Sequence, residues 1–361
     1  MKSTSAPNSP PVASAAPSLD GMVRLCKSAM ADVNNVILEK MGSEVPLIPE
    51  LAGHLIAAGG KRMRPMLTLM GALSGLNETG LNETGLNETN GSETLKKQMP
   101  IAALHLAAAV EFIHNATLLH DDVIDQSEKR RGRDTANAMW GNEASVLVGD
   151  FLFARAFELM VSTGDIEILR MLSSASARIT EGEVMQMGMA GMPDSQLEDY
   201  FSVITNKTAI LFAAAAESGA RVGNASDAIC RAMHEYGLAL GRAFQICDDA
   251  LDYGTDSNVM GKKCGDDFYD GKITMPVILA WQDGSAAERD FWMRTLSQQD
   301  YREGDLQIAR TYLANHNAVE RALAHAKTEA EAAITALAPL GTTEISAAMS
   351  SAARFAAKRA Y

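Results

Sequence analysis

Apolar residues recur at the period of an α-helix in nearly every segment of this chain after residue 18. No run alternates apolar and polar residues between turn signals at strand spacing, so we expect few strands. Only 11 prolines are present and most lie early in the chain, which leaves long helices uninterrupted through the middle. The pattern predicts an all-α single domain over residues 18–361, with helices at 22–41, 100–120, 144–163, 166–190, 197–219, 226–251 and 273–282.

Two segments depart from the helical pattern. The first seventeen residues are rich in Ser, Pro and Ala and lack the apolar stretch of a signal peptide, which predicts a disordered tail over residues 1–17. The unit Gly-Leu-Asn-Glu-Thr begins at Gly75 and recurs at Gly80 and Gly85 before it degrades at Asn90. A five-residue period is too short for a structural repeat, and Gly and Asn favour turns. We therefore expect a flexible loop between two helices over residues 75–94.

Charge and cysteine content narrow the classes of partner. A net charge of −13 and a pI near 5.0 argue against a nucleic-acid partner and against a basic membrane-binding patch. No apolar run is expected to reach the length of a membrane span, so we expect no stable membrane insertion. The cysteines lack the close pairs of metal sites and are interpreted as thiols of a reducing compartment: Cys26, Cys230, Cys247 and Cys264. These features predict a cytoplasmic protein.

A pattern of aspartates occurs twice. Asp121-Asp122-Val123-Ile124-Asp125 recurs as Asp248-Asp249-Ala250-Leu251-Asp252, each copy in apolar helical surroundings. At about 100° per residue, the first and last aspartates of each copy share a helix face, and such like charges are unfavourable unless cations neutralise them. Mg²⁺ prefers oxygen ligands and also binds substrate phosphates. One copy could be an exposed helix face or an N-cap, but two copies, each followed by basic residues, favour diphosphate chemistry.

Basic clusters supply the opposite charge. The segment 59–65 places three cations before a helix, where backbone N–H groups can also meet an anion. Residues 128–133 carry four more cations and follow the first aspartate cluster by one helical turn, and Lys262 and Lys272 follow the second. Guanidinium groups can bind phosphate oxygens in pairs, whereas lysines act as movable point charges. The alternative for the segment 59–65 is a solvated helix start. An isolated charge run such as 128–133 is usually surface, but this one lies beside the proposed metal site.

Together these motifs resemble the trans-polyprenyl diphosphate synthases, and the resemblance covers essentially residues 20–361. It is closest to the octaprenyl-to-decaprenyl group that makes quinone side chains. The Ser/Pro-rich tail and the five-residue repeats are the visible departures. The matching motifs are GGKRMRP at 59–65, LLHDDVIDQSEKRRG at 118–132, GD at 149–150, EGEVMQM at 181–187, KTA at 207–209, FQICDDALDY at 244–253 and GKKCGDDFYDGK at 261–272.

The resemblance implies an isoprenoid synthase fold, in which long helices surround a central cavity, assembled as a homodimer. It implies Mg²⁺ as cofactor, with isopentenyl diphosphate and an allylic diphosphate (farnesyl or geranyl) as substrates. The implied metal ligands are principally Asp121, Asp125 and Asp248, with Asp122, Asp249, Asp252 and Asp266 nearby. Allylic diphosphate contacts are implied for Arg130, Lys207, Thr208, Gln245, Lys262 and Lys272, of which Lys207 and Gln245 also count as catalytic. Isopentenyl diphosphate contacts are implied for Gly60, Lys61, Arg64, His114 and Arg131.

Product length should depend on residues deeper along the first aspartate helix. Family members that make short products carry bulky aromatics four or five residues before the first aspartate, where this chain has Thr117 and Ala116. A ten-unit product would stretch on the order of 50 Å, beyond the roughly 30 Å of a twenty-residue helix, so it must bend or leave at the far end. The small residues predict a long product, with decaprenyl ahead of octaprenyl or nonaprenyl. The alternative is that they only let helices pack closely.

Three other functions remain open at this point. A farnesyl or geranylgeranyl synthase would share every motif. A terpene cyclase could have one aspartate cluster but would not need the segment 59–65. A non-catalytic partner subunit would be expected to have lost one cluster, and this chain keeps both.

Overall fold

The computed structural model describes residues 16–57, 60–79, 99–130, 132–254 and 265–358. Within these ranges the only sheet is an antiparallel pair, β1 Lys129–Arg130 and β2 Arg133–Asp134. The all-α prediction is confirmed. The helices are α1 Asp20–Lys40, α2 Leu47–Ala57, α3 Met63–Glu78, α4 Ile101–Ile124, α5 Ala136–Trp140, α6 Asn142–Val161, α7 Ile166–Met189, α8 Leu197–Ile204, α9 Ile210–Val222, α10 Asp227–Asp252, α11 Asp266–Tyr269, α12 Met275–Asp283, α13 Ala286–Trp292, α14 Asp305–Asn315, α15 Ala318–Ala336 and α16 Glu344–Lys358.

The long helices pack around two apolar clusters. The larger cluster lies between α1, α3, α4, α6, α7, α9, α10, α15 and α16, and the smaller one lies beneath α8 and α10 to α15. Most of α10 faces the larger cluster, while its last turns, with Ile246, Cys247 and Ala250, face the smaller one. The second aspartate pattern therefore lies where the two clusters meet.

Glycines allow α3, α9 and α10 to approach very closely. A Cβ atom at Gly219 would collide with the carbonyl oxygen of Thr68, and one at Gly71 would collide with the carbonyl oxygen of Ala216. On the other side of α9, a Cβ atom at Gly237 would overlap the backbone of α9. Helix backbones in contact leave little room for a ligand between them, so a substrate cavity must lie on other faces of these helices.

The prediction of a loop over residues 75–94 is wrong for residues 75–78, which are helical. Helix α3 continues to Glu78 because Leu76 is buried and Gly75 lets α3 approach Gly223 closely. The carboxylate of Glu78 accepts hydrogen bonds from the backbone N–H of Ser226 at 2.7 Å and from its hydroxyl at 2.6 Å, at the N-terminus of α10. The first repeat unit is thus part of the packed fold. Residues 80–98 and 1–15 lie outside the described residues, so the rest of the loop and the tail are untested.

One expectation about membranes also needs correction. Among the described residues, α4 is long and apolar enough to cross a membrane by length and composition, with a mean hydropathy of 1.3 over its most apolar window. However, 61% of that window is buried against the rest of the protein. The apolar composition of α4 is therefore that of a core helix in a bundle.

The cysteines in the described part of the chain form no disulfide. Cys26, Cys230 and Cys247 are buried thiols, and Cys264 lies outside the described residues. Burial raises the pKa of the Cys26 thiol to about 12, so it is protonated and unreactive at neutral pH. The interpretation of these cysteines as free thiols is confirmed for the three that are described.

Candidate active site

The first aspartate pattern ends helix α4. Asp121 lies in the last turn and Asp125 is the C-terminal capping residue, with its backbone N–H 2.8 Å from the carbonyl oxygen of Asp121. Burial raises the pKa of Asp121 from 3.8 to about 7, and the nearby carboxylates of Glu183 and Asp125 add to the rise. Lys207 and Arg130 act in the opposite direction but do not cancel it. A carboxyl group in this electrostatic position is stabilised as an anion by an added cation.

The second aspartate pattern ends helix α10. Burial raises the pKa values of Asp249 and Asp252 to about 7, with Asp267 as the next contributor in both cases. The carboxylate of Asp252 accepts a hydrogen bond from the backbone N–H of Asp267 at 3.1 Å. This bond joins the end of α10 to the start of α11. Both aspartate patterns are therefore regions of concentrated negative charge.

Asp122 and Asp249, the middle aspartates of the two patterns, are directed at protein donors. Asp122 is 2% exposed and accepts from Nε and Nη2 of Arg130 at 3.0 and 2.8 Å. Asp249 is 6% exposed and accepts from the hydroxyl of Tyr200 at 2.6 Å and from the amide of Gln245 at 2.8 Å. Each middle aspartate thus holds a side chain expected at the allylic site. A direct metal role for these two residues stays a prediction.

Lys272 connects the first aspartate pattern to α11 and to Asp270, the residue after it. Its ammonium group lies 2.9 Å from Asp270, 3.4 Å from Asp125 and 3.8 Å from Asp267. Burial acts to lower the pKa of Lys272, but these three carboxylates outweigh burial and raise it. Tyr301 secures the same segment, because its hydroxyl donates to the backbone carbonyls of α11 at 3.1 Å. Lys262, the other lysine predicted here, lies outside the described residues.

The predicted metal ligands have the right chemistry but do not form a closed cage. Among the described residues, no three acidic, histidine or cysteine side chains converge closely enough to hold an ion by themselves. The amine of Lys272 lies among part of the acidic set. Mg²⁺ is commonly bound through one or two carboxylates, waters and substrate phosphates rather than by a protein cage. The observed donor set fits that kind of binding.

A π-helical turn, Thr205–Ala209, presents two predicted substrate contacts side by side. The amine of Lys207 lies 2.5 Å from the carboxylate of Glu183 and 2.6 Å from the side-chain oxygen of Gln186, both on α7. The hydroxyl of Thr208 donates to Gln245 at 2.9 Å. A Cβ atom at Gly182 would collide with the backbone N of Lys207, so α7 and the turn are in direct contact. π-Helical turns are rare and often occur at functional sites.

The segment before α3 contributes two stacked cations. The amine of Lys61 lies 4.7 Å from the centre of the Phe355 ring, and the guanidinium of Arg64 lies 4.5 Å from that of Phe212. Burial lowers the pKa of Arg64 to about 10, while Glu111 and Asp248 act to raise it. Arg64 is therefore within electrostatic range of the second aspartate pattern.

The other residues of the predicted isopentenyl diphosphate site are less defined. Gly60 begins the described segment, and His114 is partly buried on α4, two turns before Asp121. Nε of Arg64 is buried without a hydrogen-bond partner. Arg131 lies outside the described residues.

The residues expected to control product length lie on the inner side of α4. Ala116 has no exposed surface and belongs to the larger apolar cluster. Thr117 is partly buried, and its hydroxyl donates to the backbone carbonyl of His114 at 2.8 Å. An aromatic side chain at position 116 would therefore enter the bundle, and one at position 117 would be partly covered by it. The effect of these positions on product length is untested.

Four residues of the site were not predicted individually: Tyr200, Glu183, Gln186 and Gly182. Glu183, Gln186 and Gly182 lie within EGEVMQM, a motif that carries the family resemblance but does not by itself show which of its residues reach the site. Tyr200 carries no local signal, because a tyrosine near the start of an amphipathic helix is an ordinary core residue. Its role depends on a partner 49 residues later in the chain.

Comparison with known proteins agrees with this geometry. The polyprenyl synthetase family model matches residues 45–313. Octaprenyl diphosphate synthase from Escherichia coli is 38% identical over 94% of this chain and 99% of its own. A polyprenyl synthase structure from Caulobacter crescentus, in complex with calcium and isoprenyl diphosphate, is 42% identical, covers 96% of this chain and 99% of its own, and has a TM-score of 0.86. A decaprenyl diphosphate synthase structure from Rhodobacter capsulatus is 43% identical and has a TM-score of 0.85. The match covers 95% of this chain and 100% of the Rhodobacter capsulatus chain.

The helical bundle, the two aspartate patterns and the cations around them define a prenyltransferase, and the chain belongs to the polyprenyl synthetase family. Within that family it is a long-chain trans-polyprenyl diphosphate synthase. The predicted family, fold and enzyme class are confirmed.

Proposed function

We propose that this enzyme adds isopentenyl diphosphate repeatedly, in 1′-4 head-to-tail fashion, to a farnesyl or geranyl diphosphate primer in a Mg²⁺-dependent reaction. The product is an all-trans chain for quinone side chains, with decaprenyl favoured over octaprenyl or nonaprenyl. The similarity to a decaprenyl synthase structure at 43% identity supports this order. We also propose that the reaction takes place in the cytoplasm.

The concentration of carboxylates at the ends of α4 and α10 carries the proposal. Asp121 and Asp252 have pKa values raised to about 7, burial being the main cause, and both are therefore poised to gain from an added cation. Asp121, Asp125 and Asp248 would hold Mg²⁺, which supplies positive charge to a leaving diphosphate. The related Caulobacter crescentus structure, which contains calcium and isoprenyl diphosphate, supports a divalent cation at such a site.

The cationic side chains would bind the allylic diphosphate and stabilise the charge that develops on it as its C–O bond breaks. Lys207 is oriented for this by Glu183 and Gln186, and Arg130 by Asp122. Lys272 lies beside the same acidic region, with its ammonium group 3.4 Å from Asp125. The fixed orientation of these cationic side chains matters because preorganised charges need no rearrangement during the reaction.

Lys61, Arg64 and His114 would hold isopentenyl diphosphate so that its double bond faces the allylic cation. Condensation then forms the new C–C bond and leaves a cation that loses a proton. Because no described residue is an obvious strong base for that proton, we propose the released diphosphate as its acceptor. The protein's part is to orient the substrates, exclude water and hold charge.

We propose that the enzyme works as a homodimer and that α6 lies in the interface. Leu147, Ala154, Phe157 and Val161 fall on one exposed stripe of α6, with 67% of Leu147 and 61% of Val161 exposed. Exposed apolar stripes of this kind are usually covered by another protein surface, and a second copy offers a self-complementary one. Light scattering of the purified protein, and of a Leu147→Asp variant, would test this assignment.

The decisive experiment supplies purified protein with labelled isopentenyl diphosphate, farnesyl diphosphate and Mg²⁺ and separates the products by length. Asp121→Asn and Asp248→Asn should each reduce turnover by orders of magnitude with unchanged helical content. Asp283→Asn, an exposed carboxylate paired with Arg321, serves as the control and should have no effect. Near-normal turnover by either active-site variant at saturating Mg²⁺ would remove the two-cluster mechanism. From farnesyl diphosphate, a product that stops at C20 would instead identify a shorter-chain synthase. The assay is repeated with geranyl diphosphate, from which a shorter-chain synthase would stop at C15 to C20, and no product from either primer would favour a partner subunit.

A further inference from the structure

A chain of three hydrogen bonds runs from α8 through α10 to the π-helical turn. The hydroxyl of Tyr200 donates to one oxygen of Asp249 at 2.6 Å, and the amide of Gln245 donates to the other at 2.8 Å. The carbonyl oxygen of Gln245 in turn accepts from the hydroxyl of Thr208 at 2.9 Å. The chain therefore connects a buried tyrosine to a residue of the proposed allylic site.

The direction of each bond in this chain is fixed by its chemistry. Asp249 accepts from two donors, so the amide nitrogen of Gln245 must face the carboxylate. The carbonyl oxygen of Gln245 is then turned toward Thr208, whose hydroxyl must donate. Reversing the amide would bring its oxygen against the Asp249 carboxylate and would be unfavourable. One buried carboxylate thus determines how the Thr208 hydroxyl is oriented.

Burial makes this arrangement costly to break. Tyr200 is 2% exposed and Asp249 is 6% exposed, so neither can replace a lost partner with bulk water. The start of α8 is itself fixed by a capping box between Gln196 and Asp199, immediately before Tyr200. The tyrosine hydroxyl is therefore held in place by its own helix as well as by its partner.

We infer that Tyr200 is a positioning residue of the allylic site, acting through Asp249 and Gln245 on Thr208. Asp249 then serves the site by organising protein donors rather than as an ion ligand. This inference rests on the proposed role of Thr208 at the allylic diphosphate. Tyr200 is almost fully buried, with its hydroxyl on Asp249, and therefore acts only through the geometry of the side chains that reach the substrate.

The first test compares Tyr200→Phe with Tyr236→Phe. Tyr236 is a matched control, because its hydroxyl is also buried and donates to the backbone carbonyl of Met349 at 2.8 Å. It precedes Gln245 on α10 by about 13 Å of helix. Tyr200→Phe should lower kcat/KM for the allylic diphosphate about tenfold, mostly through KM. The KM for isopentenyl diphosphate, and the Mg²⁺ concentration at half-maximal rate, should not change. Tyr236→Phe should alter none of these values.

The second test uses Asp249→Asn and remains informative if Tyr200→Phe does not fold. An asparagine at 249 can still accept from Gln245 and can donate to the oxygen of Tyr200, so the chain of bonds can be rebuilt. If Asp249 instead bound a metal ion, an uncharged asparagine could not replace it. Asp249→Asn should therefore lose about tenfold in rate at most, whereas Asp248→Asn should lose orders of magnitude.

Two results would overturn the inference while leaving the proposed function intact. In one, Tyr200→Phe matches Tyr236→Phe in every kinetic constant. In the other, Asp249→Asn lowers turnover as much as Asp248→Asn does and raises the Mg²⁺ concentration needed for half-maximal rate. Retained activity in Asp248→Asn would contradict the proposed function instead, so the two failures are distinguishable.

Discussion

The ammonium group of Lys272 lies 3.4 Å from a carboxylate oxygen of Asp125, a residue 147 positions earlier in the chain. The same ammonium group contacts Asp267 and Asp270. One side chain therefore joins the end of α4 to the segment that follows α10. Because the backbone N–H of Asp267 donates to Asp252, this cation links the first aspartate pattern to the segment that adjoins the second.

Replacing Lys272 with Gln should raise the KM for the allylic diphosphate by about tenfold or more, since a charge-assisted hydrogen bond contributes roughly 1.5–3 kcal/mol. The change also leaves three carboxylates without their shared cation, so the Mg²⁺ requirement should shift. Steady-state kinetics with each substrate varied in turn would measure this. Lys327→Gln, on the exposed side of α15, is the control. An increase confined to the isopentenyl diphosphate KM would contradict the assignment of Lys272 to the allylic side.

Two glycines lie near the end of α7, and replacing each with alanine should have opposite effects on stability. A Cβ atom at Gly182 would collide with the backbone of Lys207, whereas one at Gly188 would meet nothing within 4 Å. Gly182→Ala should separate α7 from the π-helical turn, cost about 1–3 kcal/mol of stability and reduce turnover sharply. Gly188→Ala should stabilise by about 0.5–1 kcal/mol and leave turnover unchanged. Urea unfolding would measure the stability of both variants, and kinetic assays would measure their turnover. Equal turnover in the two would show that the close contact does not position Lys207.

Periodicity and charge alone located most of the architecture of the site. Helices α4 and α10 were predicted because their apolar spacing is strong, and the aspartates at their ends follow directly from the sequence. The π-helical turn could not be predicted, because one extra residue in a turn hardly changes apolar spacing. The loop prediction is wrong at Gly75 and Leu76 because Gly75 packs against the segment between α9 and α10 and Leu76 is buried, and local composition shows neither contact.

Metal-free protein should show a stability contribution from Asp121 that falls as pH rises. Burial raises the pKa of Asp121 from 3.8 to about 7, so the folded state holds a proton that the unfolded state releases at lower pH. The contribution is complete below about pH 4 and is lost as pH rises through about 7, at up to about 1.4 kcal/mol per pH unit. Urea unfolding in EDTA should thus show that the free energy of unfolding falls more between pH 5.5 and pH 8 for the wild type than for Asp121→Asn. Added Mg²⁺ should restore wild-type stability at pH 8 but not that of the variant. Parallel pH profiles for the two proteins would contradict the raised pKa.

Aromatic residues on the inner side of α4 should shorten the product. Thr117 lies one helical turn before Asp121 and is only partly buried, so Thr117→Phe should place a ring across the path of a growing tail. Because an isoprene unit spans about one helical turn, the main product should fall to about C15 to C20 while the first condensations continue. Thr117→Val removes the hydroxyl without adding a ring and should keep the wild-type length.

Ala116→Phe tests whether the tail also passes the fully buried side of the same helix. Ala116 belongs to the larger apolar cluster, so an added ring must either enter open space along the tail or force its neighbours apart. The first outcome gives a shorter product with little loss of stability, because the ring occupies space that the tail would use. The second lowers the free energy of unfolding by about 1–3 kcal/mol and keeps the product length. Product analysis and urea unfolding on the same preparation separate the two. If both aromatic variants keep the wild-type length, the growing chain does not run along α4.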